Sequence, residues 1–268
     1  MPNLYVSLAS VKADNRQTST VDDAALLRLI EEVSRAVDNE TNHRFYSEIA
    51  TRVYDGNGLS QLWLPDDLLT VTSLKVDEDG NGTFEKTLAV NTDYWLWPDN
   101  VSPKWRIDLN PQSTSLTAWP VGRRRIEIVG MFGYSNETAL VTTLAEDDDG
   151  SETALDLTSA AALSVGDTLV IGTEQLDITA IATNTVTVTR GLNASAAAAH
   201  ANGAAVYRRR FERPIERAVA MQVSRLLRDQ QTGYSGTLGD PQYGGYAFAS
   251  LYPAIRDMLA PYLRLVVS

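Results

Sequence analysis

The stretch VDEDGNGTFEKTL, Val76–Leu88, admits two readings, and the fold of the middle of the chain turns on which one holds. Asp77, Asp79, Asn81 and Gly82 occupy positions 1, 3, 5 and 6 of an EF-hand calcium loop, where oxygen ligands converge and a glycine permits the bend. Position 12, which a bidentate Glu should fill, is Leu88. Upstream, LTVTSLKV (Leu69–Val76) alternates and is rich in β-branched residues, so it predicts a strand where an EF-hand needs a helix. Asp-Gly and Asn-Gly after a strand predict a hairpin turn, because these residues accept the positive φ angles such turns require. The stretch is therefore expected to be an exposed hairpin tip, and no metal ligand is assigned in it.

Working outward, Thr51 to Gly133 is strand-like throughout. TRVYDGNG, QLWLP, LTVTSLKV, DYWLWP, KWRIDL and RRIEIVG are separated by clusters of Gly, Pro, Asn and Asp. All five tryptophans, Trp63, Trp95, Trp97, Trp105 and Trp119, fall in this region. Strand aromatics are expected in a core or a subunit interface, with a ligand-binding cluster as the alternative. Around Thr138 the composition shifts to Ala, Thr, Val, Asp and Leu. TALVTTL, ALDLTS, GDTLVIG, EQLDITAIA, NTVTVTRG and AAVYRR then recur as short strands, which predicts a small β-barrel or sandwich. The acidic run EDDDG (Glu146–Gly150) is expected in one of its solvated turns.

The two ends of the chain read as helices. Leu26, Leu29, Ile30, Val33 and Val37 recur at three- and four-residue spacing between Thr20 and His43, with Thr20 expected to cap the helix and Asp22 and Asp23 favouring its positive end. After Phe211, Pro214 suits a first helical turn, and Ile215, Ala218, Val219, Val223, Leu226 and Leu227 form an apolar stripe to about Asp229. Thr232–Tyr246, rich in glycine, is expected to be a long flexible or irregular loop, functional or ordered by a partner. A last helix from Pro253 is expected to bury Ile255, Leu259 and Leu263, with Pro261 kinking or ending it.

Composition narrows the chemistry. At 268 residues and 44% hydrophobic, the chain is long enough for two domains or for one carrying an insertion. Zero cysteines exclude disulfides, thiolate metal sites and thiol catalysis. A net charge of -11 argues against a general DNA-binding surface. No apolar run reaches membrane-spanning length and MPNLYVSLAS lacks a basic leader, so neither a membrane span nor a signal peptide is expected. The two histidines, His43 and His200, have no metal-ligand spacing around them, and no Walker loop, dinucleotide fingerprint, HExxH or nucleophile elbow occurs. No catalytic residue, metal or cofactor is assigned, and the chain is expected not to be an enzyme. The basic triplets Arg123–Arg125 and Arg208–Arg210 are expected to pair with carboxylates, within the chain or across a subunit boundary.

LLRLIEEVSRAVDNETNHRFY (Leu26–Tyr46) and FERPIERAVAMQVSRLLRDQQTGYSGTLGDPQYGGY (Phe211–Tyr246), followed by LYPAIRDMLAPYLR, resemble the first helix and the C-terminal portion of tailed-phage head-tail connector or adaptor proteins. Leu163–Tyr207, marked by GDTLVIGTEQ and TRGLNASAAAAHANGAAV, resembles a small β module recurrent in phage virion proteins. The resemblance implies an α+β chain. Its N- and C-terminal helices, residues 1–50 and 211–268, would form an α-helical adaptor core, with a Trp-rich antiparallel β domain over 51–137 and an inserted β module over 138–210. It further implies a homo-oligomeric ring in the virion neck, about twelvefold to match the portal. Such a ring would dock under the portal protein, offer a platform to the next tail-completion or stopper protein, and let DNA pass through its lumen without specific binding. Synthesis in the bacterial host cytoplasm, and no membrane partner, go with that picture. The residues expected at the portal or subunit interface are Arg217, Arg225, Arg228, Tyr234, Tyr243, Tyr246, Leu251, Tyr252 and Arg256. The long Trp-rich region and the inserted module depart from smaller adaptors. The alternative reading is a virion surface or receptor protein that binds carbohydrate, and clustered, solvent-exposed tryptophans would mark it.

Overall fold

The structure, a computed structural model, describes residues 3–231 and 251–264. Period-2 alternation dominates the chain, and among the described residues twelve strands pair into two six-stranded antiparallel sheets. The chain divides into two units, one made of Met1–Asn42 with Glu137–Leu265, the other centred on His43–Asn136.

The His43–Asn136 unit holds β1 (Glu48–Gly56), β2 (Gln61–Val76), β3 (Lys86–Leu88), β4 (Tyr94–Trp97), β5 (Lys104–Leu109) and β6 (Gly122–Phe132). Their order is β1-β6-β2-β5-β4, with β3 paired to β2. Leu62, Leu64, Leu68, Leu74 and Val76 of β2 pack against Ile126, Ile128 and Phe132 of β6, Ile107 and Leu109 of β5, and Trp119. The sequence suggested two strands, QLWLP and LTVTSLKV, where the fold makes one long strand. Register shifts between Trp63 and Leu68, Leu68 and Thr70, and Val71 and Ser73 bend it, and Pro65 sits in the first irregular stretch, where a missing N–H donor is tolerated. Gly130 of β6 is required by close approach, since a Cβ there would lie 2.2 Å from the Thr70 carbonyl oxygen.

The hairpin reading of Val76–Leu88 holds: β2 and β3 pair antiparallel with Val76 opposite Lys86 and Leu74 opposite Leu88. Asp77 organises the turn, accepting the Gly80 amide at 2.6 Å and the Gly82 amide at 2.9 Å, while both glycines adopt positive φ.

In the other unit, β7 (Thr138–Thr143), β8 (Ala154–Asp156), β9 (Thr168–Ile171), β10 (Glu174–Ala182), β11 (Thr185–Thr189) and β12 (Ala205–Arg209) occupy the six stretches the sequence marked. Their order is β7-β12-β9-β10-β11-β8, around a core of Leu144, Leu155, Leu169, Ile171, Leu176, Ile178, Val186, Val188 and Val206. The edge strands β7 and β8 meet through a Leu144–Leu157 bridge, with the Ala145 amide donating to the Asp156 carbonyl and the Thr158 amide to the Thr143 carbonyl. The sheet thus closes toward the barrel alternative, which removes its open edges.

The helices correct the expected fold class. Among the described residues there are four: α1 (Leu8–Asp14), α2 (Asp23–Thr41), α3 (Arg213–Gln231) and α4 (Pro253–Leu259), which runs into a 3₁₀ turn over Ala260–Tyr262. Two of them span only seven residues. They do not make an α-helical adaptor core: most regular structure lies in the two sheets, because alternating stretches fill the chain between residues 48 and 209 while helical periodicity is confined to its ends. The apolar stripes of α2 (Leu26, Leu29, Ile30, Val33, Val37) and α3 (Ile215, Ala218, Val219, Val223) are buried as expected. Thr20 does not cap α2; Asp22 takes the N-cap position without a side-chain bond, and Asn42 ends the helix with φ 56°. Leu263 is 49% exposed rather than buried, beyond the turn that contains Pro261.

Candidate functional site

Helix α3 carries the most distinctive charge pattern. Arg213, Arg217, Met221, Arg225 and Arg228 are all exposed, opposite the buried stripe of Ile215, Val219, Gln222 and Val223. At 100° per residue, this spacing confines the five side chains to a sector of about 120°. Arg213 and Arg217 have no ion-pair partner among the described residues. Arg225 is held in place: its guanidinium lies 4.5 Å from the centre of the Tyr252 ring and 4.0 Å from Asp229, and the Tyr252 hydroxyl donates to Asp229 at 2.5 Å. A cation over an aromatic face keeps its charge available while losing mobility.

The other interface candidates sit as follows. Arg256 of α4 pairs with Glu40 of α2 at 3.0 Å, and the Tyr252 amide donates to Gln222 Oε1. Leu251 is buried and packs inward. Tyr234, Tyr243 and Tyr246 lie outside the described residues. The structure therefore brings Arg217, Arg225 and Arg228 to one helix face and joins Arg225 to Tyr252. Arg213 and Met221 extend that face and went unread, although their four-residue spacing from Arg217 was visible in the sequence.

A second surface forms in the His43–Asn136 unit. Trp63, Trp95 and Trp97 are 54%, 42% and 38% exposed, whereas Trp119 is buried, so of the two expected placements, core or subunit interface, the core one holds for Trp119 and not for these three. Register explains the clustering: Trp63 of β2 lies opposite Arg106 of β5, which lies opposite Trp97 of β4, and the next row outward is Gln61, Asp108 and Trp95. Arg106 is 5.2, 4.8 and 5.8 Å from the ring centres of Trp63, Trp97 and Trp105. Trp63 and Trp105 stack at 5.1 Å with 25° between their planes. Asp108, two residues along the same strand and so on the same face, takes Nη2 of Arg106 at 2.8 Å, with Nε 2.8 Å from its other oxygen.

Acidic and basic groups elsewhere are mostly engaged. Asp77, Asp79 and Glu85 bring one oxygen each within 4.8 Å of one another, which is the arrangement a cation could use. Burial pushes Asp77 up, but the Gly82 and Gly80 amides and Arg125 outweigh it and hold its carboxyl below the usual range. In the other unit, Arg190 donates to Asp148 at 2.8 Å and to Glu174 at 2.6 and 3.0 Å, and His200 Nε2 is 2.9 Å from Glu174. Asp148 and Glu174 are buried and the Arg190 and His200 side chains nearly so, so Asp148, from the run expected in a solvated loop, is instead part of a closed network, while Glu146, Asp147 and Asp149 are exposed. Burial raises Glu174, but Arg190 and His200 outweigh it and its pKa falls below the ordinary glutamate value. Of the basic triplets, Arg125 lies 3.5 Å from Asp77 and Arg208 3.6 Å from Asp167. The expected pairing thus holds for these two alone among the described residues, and Arg209 is buried with no acceptor for Nε or Nη1. His43 sits 2.5 Å from Asp67, against the Tyr134 ring.

No family model, curated protein or solved structure matches this chain. Among the described residues no helix is long and apolar enough to cross a membrane.

Proposed function

We propose that this chain is a structural adaptor of a tailed-phage neck, a subunit of a ring of about twelve copies that docks beneath the portal and carries the next tail component. The ring leaves a channel through which DNA passes, and the chain acts by binding, without a catalytic step or cofactor. The observation that carries the reading is the arginine face of α3. Four arginines and Met221 share one exposed helix face on a protein of net charge -11, an arrangement suited to a carboxylate-rich protein surface and not demanded by the helix's own packing. Its position also supports the reading, because α3 lies in one of the two segments that resemble adaptors, and α4, from the same region, pairs Arg256 with Glu40 in the other. An acidic chain lining a channel would not hold DNA, since phosphate attraction is the main source of nonspecific affinity.

The test is co-sedimentation of the purified protein with portal-bearing, tailless capsids. Wild type is expected to pellet with them, and the Arg217→Glu/Arg225→Glu variant to remain in the supernatant while keeping its far-UV circular dichroism. Equal pelleting of the two proteins would remove the arginine face from the account.

A further inference from the structure

The tryptophan face of the His43–Asn136 unit has no part in the neck reading, and it is built in a way that ordinary sheet surfaces are not. Outward positions on antiparallel sheets favour polar residues. Here six outward positions on three adjacent strands hold Trp63, Arg106 and Trp97 in one row and Gln61, Asp108 and Trp95 in the next. The indoles are exposed although the core of the same unit could accept aromatics, as Trp119 and Tyr94 show by being buried. Arg106 is fixed by Asp108 and lies among three rings, so the polar centre of the face is rigid before anything binds.

We infer that this face is a binding site for an uncharged oligosaccharide. The charge pattern selects the class of ligand. Arg106 and Asp108 cancel each other, so neither a phosphate backbone nor a strongly charged peptide gains attraction from the centre of the face. What remains is a set of flat, electron-rich indole faces around fixed hydrogen-bonding groups. A pyranose ring matches this on both counts: its C–H faces carry slight positive charge and stack on the negative face of an indole, and its edge hydroxyls both donate and accept. Nε of Arg106 and Oδ1 of Asp108 are buried against each other, so what faces a ligand is the remaining guanidinium N–H groups of Arg106, Oδ2 of Asp108 and the exposed amide of Gln61. The dimensions agree, since Trp63 and Trp97 stand two strand spacings apart, about 10 Å, which is roughly the length of two linked sugar rings. Trp63 and Trp97 are assigned as the stacking platforms at the two ends, with Trp105 backing Trp63 and Arg106 orienting the sugar between them.

Isothermal titration calorimetry of the full chain with cellohexaose, chitohexaose and maltohexaose tests the site. Saturable binding of at least one hexaose is expected, weakened about tenfold or more by Trp97→Ala and by Trp63→Ala and largely kept by Trp97→Phe. The Ala variants replace exposed side chains, and unchanged circular dichroism will show that each remains folded. Absence of heat with all three sugars at about 10 mM would overturn the inference, as would binding that survives both Ala variants unchanged. Cross-linking through this face to another protein, with no sugar binding, would also overturn it and would assign the face to a protein contact. None of these outcomes bears on the arginine face of α3, so failure here and failure of the neck reading are separable.

Discussion

Replacing Arg209 with methionine should stabilise the protein. Arg209 ends β12, is 6% exposed, and has no acceptor for Nε or Nη1 among the described residues. Its neighbour Arg208, by contrast, reaches the Ala162 carbonyl at 2.9 Å and lies 3.6 Å from Asp167. Burial alone pushes the Arg209 guanidinium well below the ordinary arginine value, down to about 10. It is still charged at neutral pH, so the unfavourable burial is present in full. At 1.36 kcal/mol per pK unit, the displacement corresponds to about 3 kcal/mol of folding free energy lost to desolvation. Methionine keeps much of the volume and removes the charge, so a gain of roughly 2 kcal/mol is expected after some packing is lost. For a chain of this size, that is a rise of about 4–8 °C in Tm. Urea denaturation and differential scanning calorimetry on wild type, Arg209→Met and Arg209→Ala would measure it, with Ala gaining less because it leaves a cavity. A lower Tm for Arg209→Met would refute the reasoning and show that the guanidinium is paired with an anion from outside the described residues.

Other perturbations follow from the same geometry. Glu174→Ala should cost about 3 kcal/mol or more in urea denaturation, because it leaves Arg190 buried with half of its pairing gone. Since the folded pKa of Glu174 lies below its ordinary value, its contribution is complete above about pH 4.5 and is lost as pH falls through the folded value; Glu174→Gln should flatten that acid limb of stability against pH. Gly133→Ala should destabilise by at least about 2 kcal/mol, because φ is 139° there and the new Cβ would lie 2.1 Å from the Tyr46 carbonyl oxygen; a neutral result would mean that the β1–β6 end can move apart. Calcium or chelator should shift Tm by less than about 1 °C, since Asp77 is engaged by Gly80, Gly82 and Arg125, and a larger calcium-dependent rise would assign the Asp77–Asp79–Glu85 cluster to a cation.

Local periodicity carried much of the fold. All six strands of the β7–β12 sheet, the Val76–Leu88 hairpin and the buried stripes of α2 and α3 could be read from alternation, turn residues and helical spacing, because each depends on neighbours a few residues away. The expected helical core failed for a different reason. Helical periodicity and the resemblance to adaptors belong to the ends of the chain, while the strands between them supply most of the structure. The run through Pro65 looked like a break in the sequence, and the register shifts that keep β2 continuous depend on its partners β5 and β6. The sites depend still more on distant partners. Asp148 looked like a loop carboxylate until Arg190, 42 residues away, paired with it. The tryptophans were plain in the sequence, but their exposure follows from the pairing of β2, β5 and β4, which puts Arg106 between Trp63 and Trp97. The arginine face of α3 was legible in part, and the same four-residue spacing extends it to Arg213 and Met221.

Electron microscopy of the purified protein mixed with portal-bearing, tailless capsids tests the central claim most directly. The account predicts ring-shaped density added beneath the portal vertex, with the arginine face of α3 against the portal or against the neighbouring copy. Vertices that stay bare at saturating protein would contradict it.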